Sequence, residues 1–217
     1  RQRIGVRTTA VARRTLVRPI RAVGEVAWDE SRVHDVTARV DGWVEDLRVT
    51  RAGDPVERNA TLLRFYSPDL LATQRELLAA PPGGRLATAA RERLRLWGMS
   101  SWAIRDMQRR QEPRQRIGIQ SPITGVVIDK RINEGAHVSA GALLYRIADP
   151  SRVWVLADVF EQDLPHVTVG QRVVVNVSGA TGEPIGGVVD YIYPTVSAQT
   201  RTARVRVQLD NPEGRLR

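Results

Sequence analysis

The sequence predicts a mainly β protein with an α-helical hairpin inserted into it. Three observations carry that expectation. Short alternating apolar runs occupy both ends of the chain, a stretch of helical spacing occupies the middle, and a motif of about 30 residues occurs once on each side of the helical stretch.

In chain order, residues 15–28 (TLVRPIRAVGEVAW) alternate loosely between apolar and polar, as a half-buried strand does. Residues 33–66 hold short strand-like runs interrupted by Gly42 and Gly53. The pattern changes at Ser67-Pro68-Asp69, where Ser67 can accept from orphan amides and Pro68 suits the first helical position because its missing N–H would have no partner there. Leu70, Leu71, Gln74, Leu77 and Leu78 follow at helical spacing until Pro81-Pro82-Gly83-Gly84 ends the run. A second helical pattern, Leu86, Ala89, Ala90, Leu94 and Trp97, stops at Gly98, the residue type favoured just past a helix C-terminus. A third, short helix starts after Ser100 or Ser101 and carries Trp102, Ile104 and Met107. Beyond Glu112-Pro113 the strand pattern returns, as in Val153-Trp154-Val155-Leu156-Ala157 and Arg204-Val205-Arg206-Val207-Gln208-Leu209.

The internal repeat spans the helical insert. Val40-Asp41-Gly42-Trp43-Val44 matches Ile123-Thr124-Gly125-Val126-Val127, Gly53-Asp54-Pro55-Val56 matches Gly135-Ala136-His137-Val138, and Leu62-Leu63-Arg64 matches Leu144-Tyr145-Arg146. A half-motif of this size is too small to bury a core alone, so the two halves must pack on each other.

Composition narrows the function classes. With 42% hydrophobic residues the chain can build ordinary cores, and no stretch approaches the roughly 20 consecutive apolar residues that cross a bilayer as a helix. The absence of cysteine excludes disulfides, thiolate metal sites and cysteine nucleophiles. The net charge of +9 comes from arginines spread along the whole chain, with Lys130 the only lysine, and no basic block with interleaved aromatics points to nucleic acid. The chain stops in Asn211-Pro212-Glu213-Gly214-Arg215-Leu216-Arg217 directly after a strand pattern, so we expect it to be a piece of a longer protein.

Two split half-motifs of this kind, flanked by further strands, resemble a biotinyl/lipoyl domain interrupted by a helical hairpin, the arrangement of periplasmic adaptors (membrane fusion proteins) of efflux pumps. Tyr66-Ser67-Pro68-Asp69-Leu70-Leu71-Ala72-Thr73-Gln74-Arg75-Glu76 resembles the start of the hairpin in heavy-metal adaptors of resistance-nodulation-division pumps, and Ala90-Arg91-Glu92-Arg93-Leu94-Arg95-Leu96-Trp97-Gly98-Met99-Ser100 resembles its returning arm, as in the copper/silver-type branch. The resemblance implies a β-barrel from residues 1–33 and 153–217, a split lipoyl-like (barrel-sandwich hybrid) domain from 34–66 and 114–152, a short helical hairpin from 67–113, and a membrane-proximal domain mostly missing. It further implies a non-catalytic, cofactor-free coupler in the periplasm, bridging an inner-membrane efflux transporter to an outer-membrane channel as a hexameric ring, associated with the inner membrane and exporting heavy-metal cations. An adaptor for antibiotics or other organic compounds is the alternative, and a lipoyl- or biotinyl-type carrier or binding module outside efflux is the third reading. One departure is the first helical arm, about 13 residues or on the order of 20 Å, which is short for such a hairpin.

The candidate sites are few. A carrier needs its lysine at the junction of the two half-motifs, where this chain has the helical insert; Lys130 reads as a solvated strand residue inside the second half. The metal donors are His34, His137, His166, Met99 and Met107, and none sit at a ligand-pair spacing. His137 and His166 read as loop histidines, and Met99 and Met107 as packing residues. In the copper/silver-type relatives metal is held by methionines of an N-terminal extension, and residues 1–30 contain none. Gly182-Glu183-Pro184-Ile185-Gly186-Gly187 reads as a hairpin loop, because no helix follows it to bind phosphate, and Glu161 and Asp163 read as solvated or capping residues. Function is expected on interaction surfaces: the turn Pro81, Pro82, Gly83, Gly84 and Arg85 toward a channel, and the arginines of the arms, Arg91, Arg93, Arg95, Arg109 and Arg110, toward a neighbouring copy.

Overall fold

The computed structural model describes residues 10–13, 18–177 and 184–216. Eight short strands form two four-stranded antiparallel sheets. One holds β2 (Val33–Thr37), β9 (Leu143–Ala148), β7 (Gly125–Lys130) and β4 (Pro55–Val56) in that order; the other holds β6 (Arg116–Gln120), β5 (Thr61–Tyr66), β3 (Gly42–Leu47) and β8 (His137–Val138). Each half of the repeat gives strands to both sheets, so neither half is a separate unit. The cross-links run as matched pairs: Gly53 N donates to Val127 O and Gly135 N to Val44 O, each at 2.7 Å, while Asn59 N donates to Ser121 O at 2.9 Å and Gly141 N to Ala38 O at 2.7 Å. Both copies also carry a bulge at the same place, between Val44 and Asp46 and between Val127 and Asp129. Val44, Leu62, Leu63, Val127, Leu144 and Ile147 from both sheets are fully buried in one core.

The repeat glycines have a steric reason. A Cβ on Gly42 would overlap the Tyr66 carbonyl oxygen and the Phe65 ring, and one on Gly125 would overlap the Ala148 carbonyl. Those contacts hold strands β3 and β7 tightly against β5 and β9 at equivalent points.

A second body is a five-stranded antiparallel sheet in the order β1 (Val23–Trp28), β10 (Arg152–Phe160), β13 (Thr202–Asp210), β12 (Ile185–Ser197), β11 (Arg172–Val175). Its core is valine-rich: Val153, Val155, Val189, Val205, Val207 and Leu209. Two sequence expectations need correction here. The strand expected over residues 15–28 is confined to Val23–Trp28, because residues 18–22 pair with no neighbouring strand and 15–17 lie outside the described residues. Ile185, Gly186 and Gly187 are not loop but the start of β12, where Gly187 pairs with both Val173 and Leu209; Gly182 and Glu183 lie outside the described residues.

The chain crosses between the two bodies twice, at residues 29–32 and 149–151, and the crossings are tied together. Asp29 is almost fully buried and accepts from Ser31 N, from Ser31 Oγ and from Arg152 Nε at 2.9 Å, while Arg32 Nη1 donates to Asp149 at 2.5 Å and to Ser151 Oγ at 2.6 Å. Burial pushes the Asp29 pKa up, but the hydrogen bonds from Ser31 and Arg152 outweigh it and leave the group below its ordinary value. Asn211 closes the junction, donating to the carbonyls of Pro150 and Leu216 and accepting from Leu216 N.

Candidate functional site

The insert between β5 and β6 is a cap of three helices, α1 (Pro68–Ala79), α2 (Arg85–Leu96) and α3 (Ser101–Arg110). Ser67 caps α1 by accepting from Leu70 N, with Pro68 at the first helical position. At the tip the Pro81 carbonyl accepts from Gly84 N at 3.1 Å and Gly83 has φ +78°, so Pro82-Gly83 occupies the two central positions of a type II turn. Pro81, Pro82, Gly83 and Arg85 are exposed and Gly84 is half-buried, which gives the cap a stiff, solvent-facing end.

α2 buries Ala87, Ala90 and Leu94, spaced i, i+3, i+7. The apolar face expected from Leu86 and Ala89 is therefore turned by one residue: Leu86 is 64% exposed, and Ala87 replaces it in the core. The helix ends in a Schellman motif, with Gly98 at φ +92°, Met99 N donating to Leu94 O and Gly98 N to Arg95 O, each at 2.9 Å. Met99 is thus the apolar residue that follows the cap and packs with Leu94. Met107 of α3 is also buried, and both methionines belong to the same hydrophobic core.

The arginines of the arms divide into tied and untied groups. Arg93 lies 3.4 Å from Glu76 of α1. Arg109, Arg110 and Arg114 converge on Asp106, whose side chain is buried; the Arg114 hydrogen bond, followed by those of Arg109 and Arg110, lowers the carboxyl pKa from 3.8 to about 2. Arg109 and Arg110 are therefore tied to α3 by an ion pair while their side chains stay largely exposed, at 74% and 64%. Arg91 and Arg95, one turn apart on α2, have no ion pair among the described residues. Buried Gln74 fastens the cap to the returning chain: its amide donates to Arg114 O at 3.0 Å and accepts from Arg114 N at 2.8 Å.

The histidines stand apart. His34 is exposed on β2 opposite Ile147, and His166 ends a 3-10 turn at Leu164–His166. His137 on β8 meets the Trp43 ring edge-on at a centroid distance of 4.7 Å. Among the described residues no group of three or more His, Cys, Asp or Glu is placed to hold a metal ion. Lys130 is half-buried and donates to Ile132 O at 2.6 Å, so it is tethered to its own turn rather than solvated.

One constellation escaped the sequence reading. Arg116, Tyr66, Trp43 and His137 are directly opposite one another on β6, β5, β3 and β8, so a single row of side chains crosses the whole sheet beside the base of the cap. Trp43 and Tyr66 have ring centroids 6.1 Å apart, and Arg116 pairs with Glu45. Together with exposed Glu134 these residues line a cavity of about 550 Å³ that opens to solvent. No spacing in the sequence signals it, because the row exists only once four strands from both half-motifs are in register.

No helix among the described residues is long and apolar enough to cross a membrane. The sequence profile of the CusB barrel-sandwich hybrid domain matches residues 33–148, and that of the CusB-like β-barrel domain matches residues 152–217. The cation efflux system protein CusB of Escherichia coli O6:H1 is 28% identical over 219 residues, covering 100% of this chain and 54% of CusB. The cobalt-zinc-cadmium resistance protein CzcB of Cupriavidus metallidurans is 27% identical, covering 88% of this chain and 41% of CzcB. The chain spans about half the length of the curated relatives it matches. The crystal structure of ZneB from Cupriavidus metallidurans superposes with a TM-score of 0.60 at 26% identity, covering 89% of this chain and 91% of that one. With one profile spanning more than half of its residues and the other following in order, the chain belongs to the CusB family, in the heavy-metal branch of the membrane fusion adaptors of resistance-nodulation-division pumps.

Proposed function

We propose that this chain belongs to a periplasmic adaptor that couples an inner-membrane efflux transporter to an outer-membrane channel and serves the export of heavy-metal cations. The observation that carries the reading is the match across both β bodies to a family whose relatives are cation efflux and metal resistance proteins. The fold supports a mechanical role. The insert leaves at Tyr66 and returns at Arg116, which are strand partners, and the doubly tied crossings connect the sandwich to the second sheet, so displacement of the cap is passed on through paired strands rather than through a loose loop.

In this reading residues 1–33 and 153–217, of which 1–9, 14–17, 178–183 and 217 lie outside the described residues, form the barrel, 34–66 and 114–152 the lipoyl-like domain and 67–113 the helical domain. The tip at 81–85 meets the channel, copies of the adaptor assemble as a hexameric ring, and the protein is held at the inner membrane. The test is deletion of the gene in its host, with growth measured against Cu(I), Ag(I), Zn(II), Co(II) and a panel of antibiotics. Sensitivity to one or more cations alone is the expected result; sensitivity to antibiotics alone would overturn the substrate assignment. Replacing residues 81–85 by a Gly-Ser run should abolish channel co-purification, and unchanged co-purification would remove the tip from the contact.

A further inference from the structure

Arginine over an aromatic ring, with a carboxylate alongside, occurs twice inside this chain. The Arg206 guanidinium lies 4.1 Å from the Trp154 ring centroid and 5.4 Å from that of Tyr191, and its Nε donates to Asp190 at 2.8 Å. Arg114 lies 5.1 Å from the Trp102 ring and holds Asp106. Trp43, Tyr66 and Glu134 offer the same set of groups beside an open cavity, yet among the described residues no cation lies over either ring and Glu134 has no ion pair. Arg116 lines the same cavity and pairs with Glu45, but its guanidinium lies over neither ring. Trp43 is 41% exposed, although its ring is a face on which a weakly hydrated guanidinium is stabilised.

We propose that Trp43, Tyr66 and Glu134 seat an arginine side chain of a second copy of this chain, presented from α2 by the exposed Arg95 or by the half-buried Arg91 one turn before it. The inference deepens the self-association proposed above and rests on that reading. The occupant follows from shape and charge. The cavity is too open to enclose most of a free small molecule, as ligand pockets do, and suits a side chain delivered by a rigid element. The chain carries a net charge of +9, so copies repel unless arginines meet acids across the contact, and Glu134 is an acid in surplus at this spot. Donor and acceptor lie on different parts of the molecule: the C-terminal end of α2 is held by Arg39, which follows β2, through its hydrogen bond to Leu96 O at 3.3 Å, whereas Trp43 faces out from the sheet that ends in β8. The contact is therefore head-to-tail, the kind that closes into a ring when the rotation allows.

The test is sedimentation equilibrium on the chain and its variants. Trp43→Ala and Glu134→Gln should each weaken self-association by about tenfold, as should Arg91→Glu combined with Arg95→Glu, while Trp43→Phe keeps part of the contact. Glu134 is on an exposed turn, so its variant reads the contact without disturbing the core. Mixing an acceptor variant with the donor variant should give a one-to-one pair and nothing larger, because only one intact donor meets one intact acceptor. A wild-type chain that stays monomeric up to about 1 mM, acceptor variants that associate like the wild type, or a mixture that fails to pair would each overturn the proposal. Cation resistance is read separately: a wild-type protein that confers none defeats the heavy-metal assignment and leaves the association result standing.

Discussion

The glycines at the start of β3 and β7 show how a single missing atom fixes a strand. Gly42→Ala and Gly125→Ala each drive a methyl group into a carbonyl oxygen of the neighbouring strand, and backbone cannot give way as a flexible side chain can. Each is expected to cost about 2–3 kcal/mol in urea unfolding, and by similar amounts, since the two sites are equivalent copies. Gly186→Ala in β12, where nothing lies within 4 Å, is the control and should change stability by less than about 0.5 kcal/mol. Asn59 makes the complementary point. It occupies the place of Gly141 in the first copy, and both have positive φ, +67° and +88°, because asparagine is the residue after glycine that best tolerates that region.

The helical cap is held by one carboxylate shared among three arginines, and that makes its stability depend on acid. The Asp106 pKa falls from 3.8 to about 2 on folding, so the stabilisation is fully present above about pH 4 and is lost as the pH drops through about 2. Asp106→Asn should remove that acid dependence, leaving a flatter midpoint-against-pH curve between pH 4 and 2 together with a lower midpoint at pH 7; an unchanged acid limb would show that Asp106 does not govern it. Much of this element was legible in advance. Ser67-Pro68, the PPGG break and Gly98 mark helix ends through chemistry local to a few residues. The Asp106 cluster was not, since Arg114 approaches from beyond the helix and the pairing depends on how the cap folds back. The same limit explains the rotation of α2: with three alanines among its first six residues, periodicity alone does not say whether Leu86 or Ala87 faces inward.

At the scale of the molecule, the repeat gave away the sandwich, because two glycine-anchored copies separated by helices must pair to bury a core. The strand pairing across copies, and with it the aromatic row, required the register. The junction between the two β bodies was equally hidden: Asp29 and Arg152 are far apart in sequence and meet only because Trp28 pairs with Val153. Asp29→Asn replaces a buried charge-assisted hydrogen bond with a weaker one and should lower overall stability by about 2 kcal/mol. It should also split a single denaturation curve into two, with the valine-rich sheet melting first; one transition at an unchanged midpoint would mean that the two bodies are coupled elsewhere.

The insert begins and ends at Tyr66 and Arg116, which face each other across one rung of a ladder. Whatever is spliced between them has its endpoints fixed to a single strand spacing, independent of its own length. The reach of such a protein is thus an adjustable dimension on a constant mount, since helices can be lengthened or trimmed while the two strands beneath them stay in register.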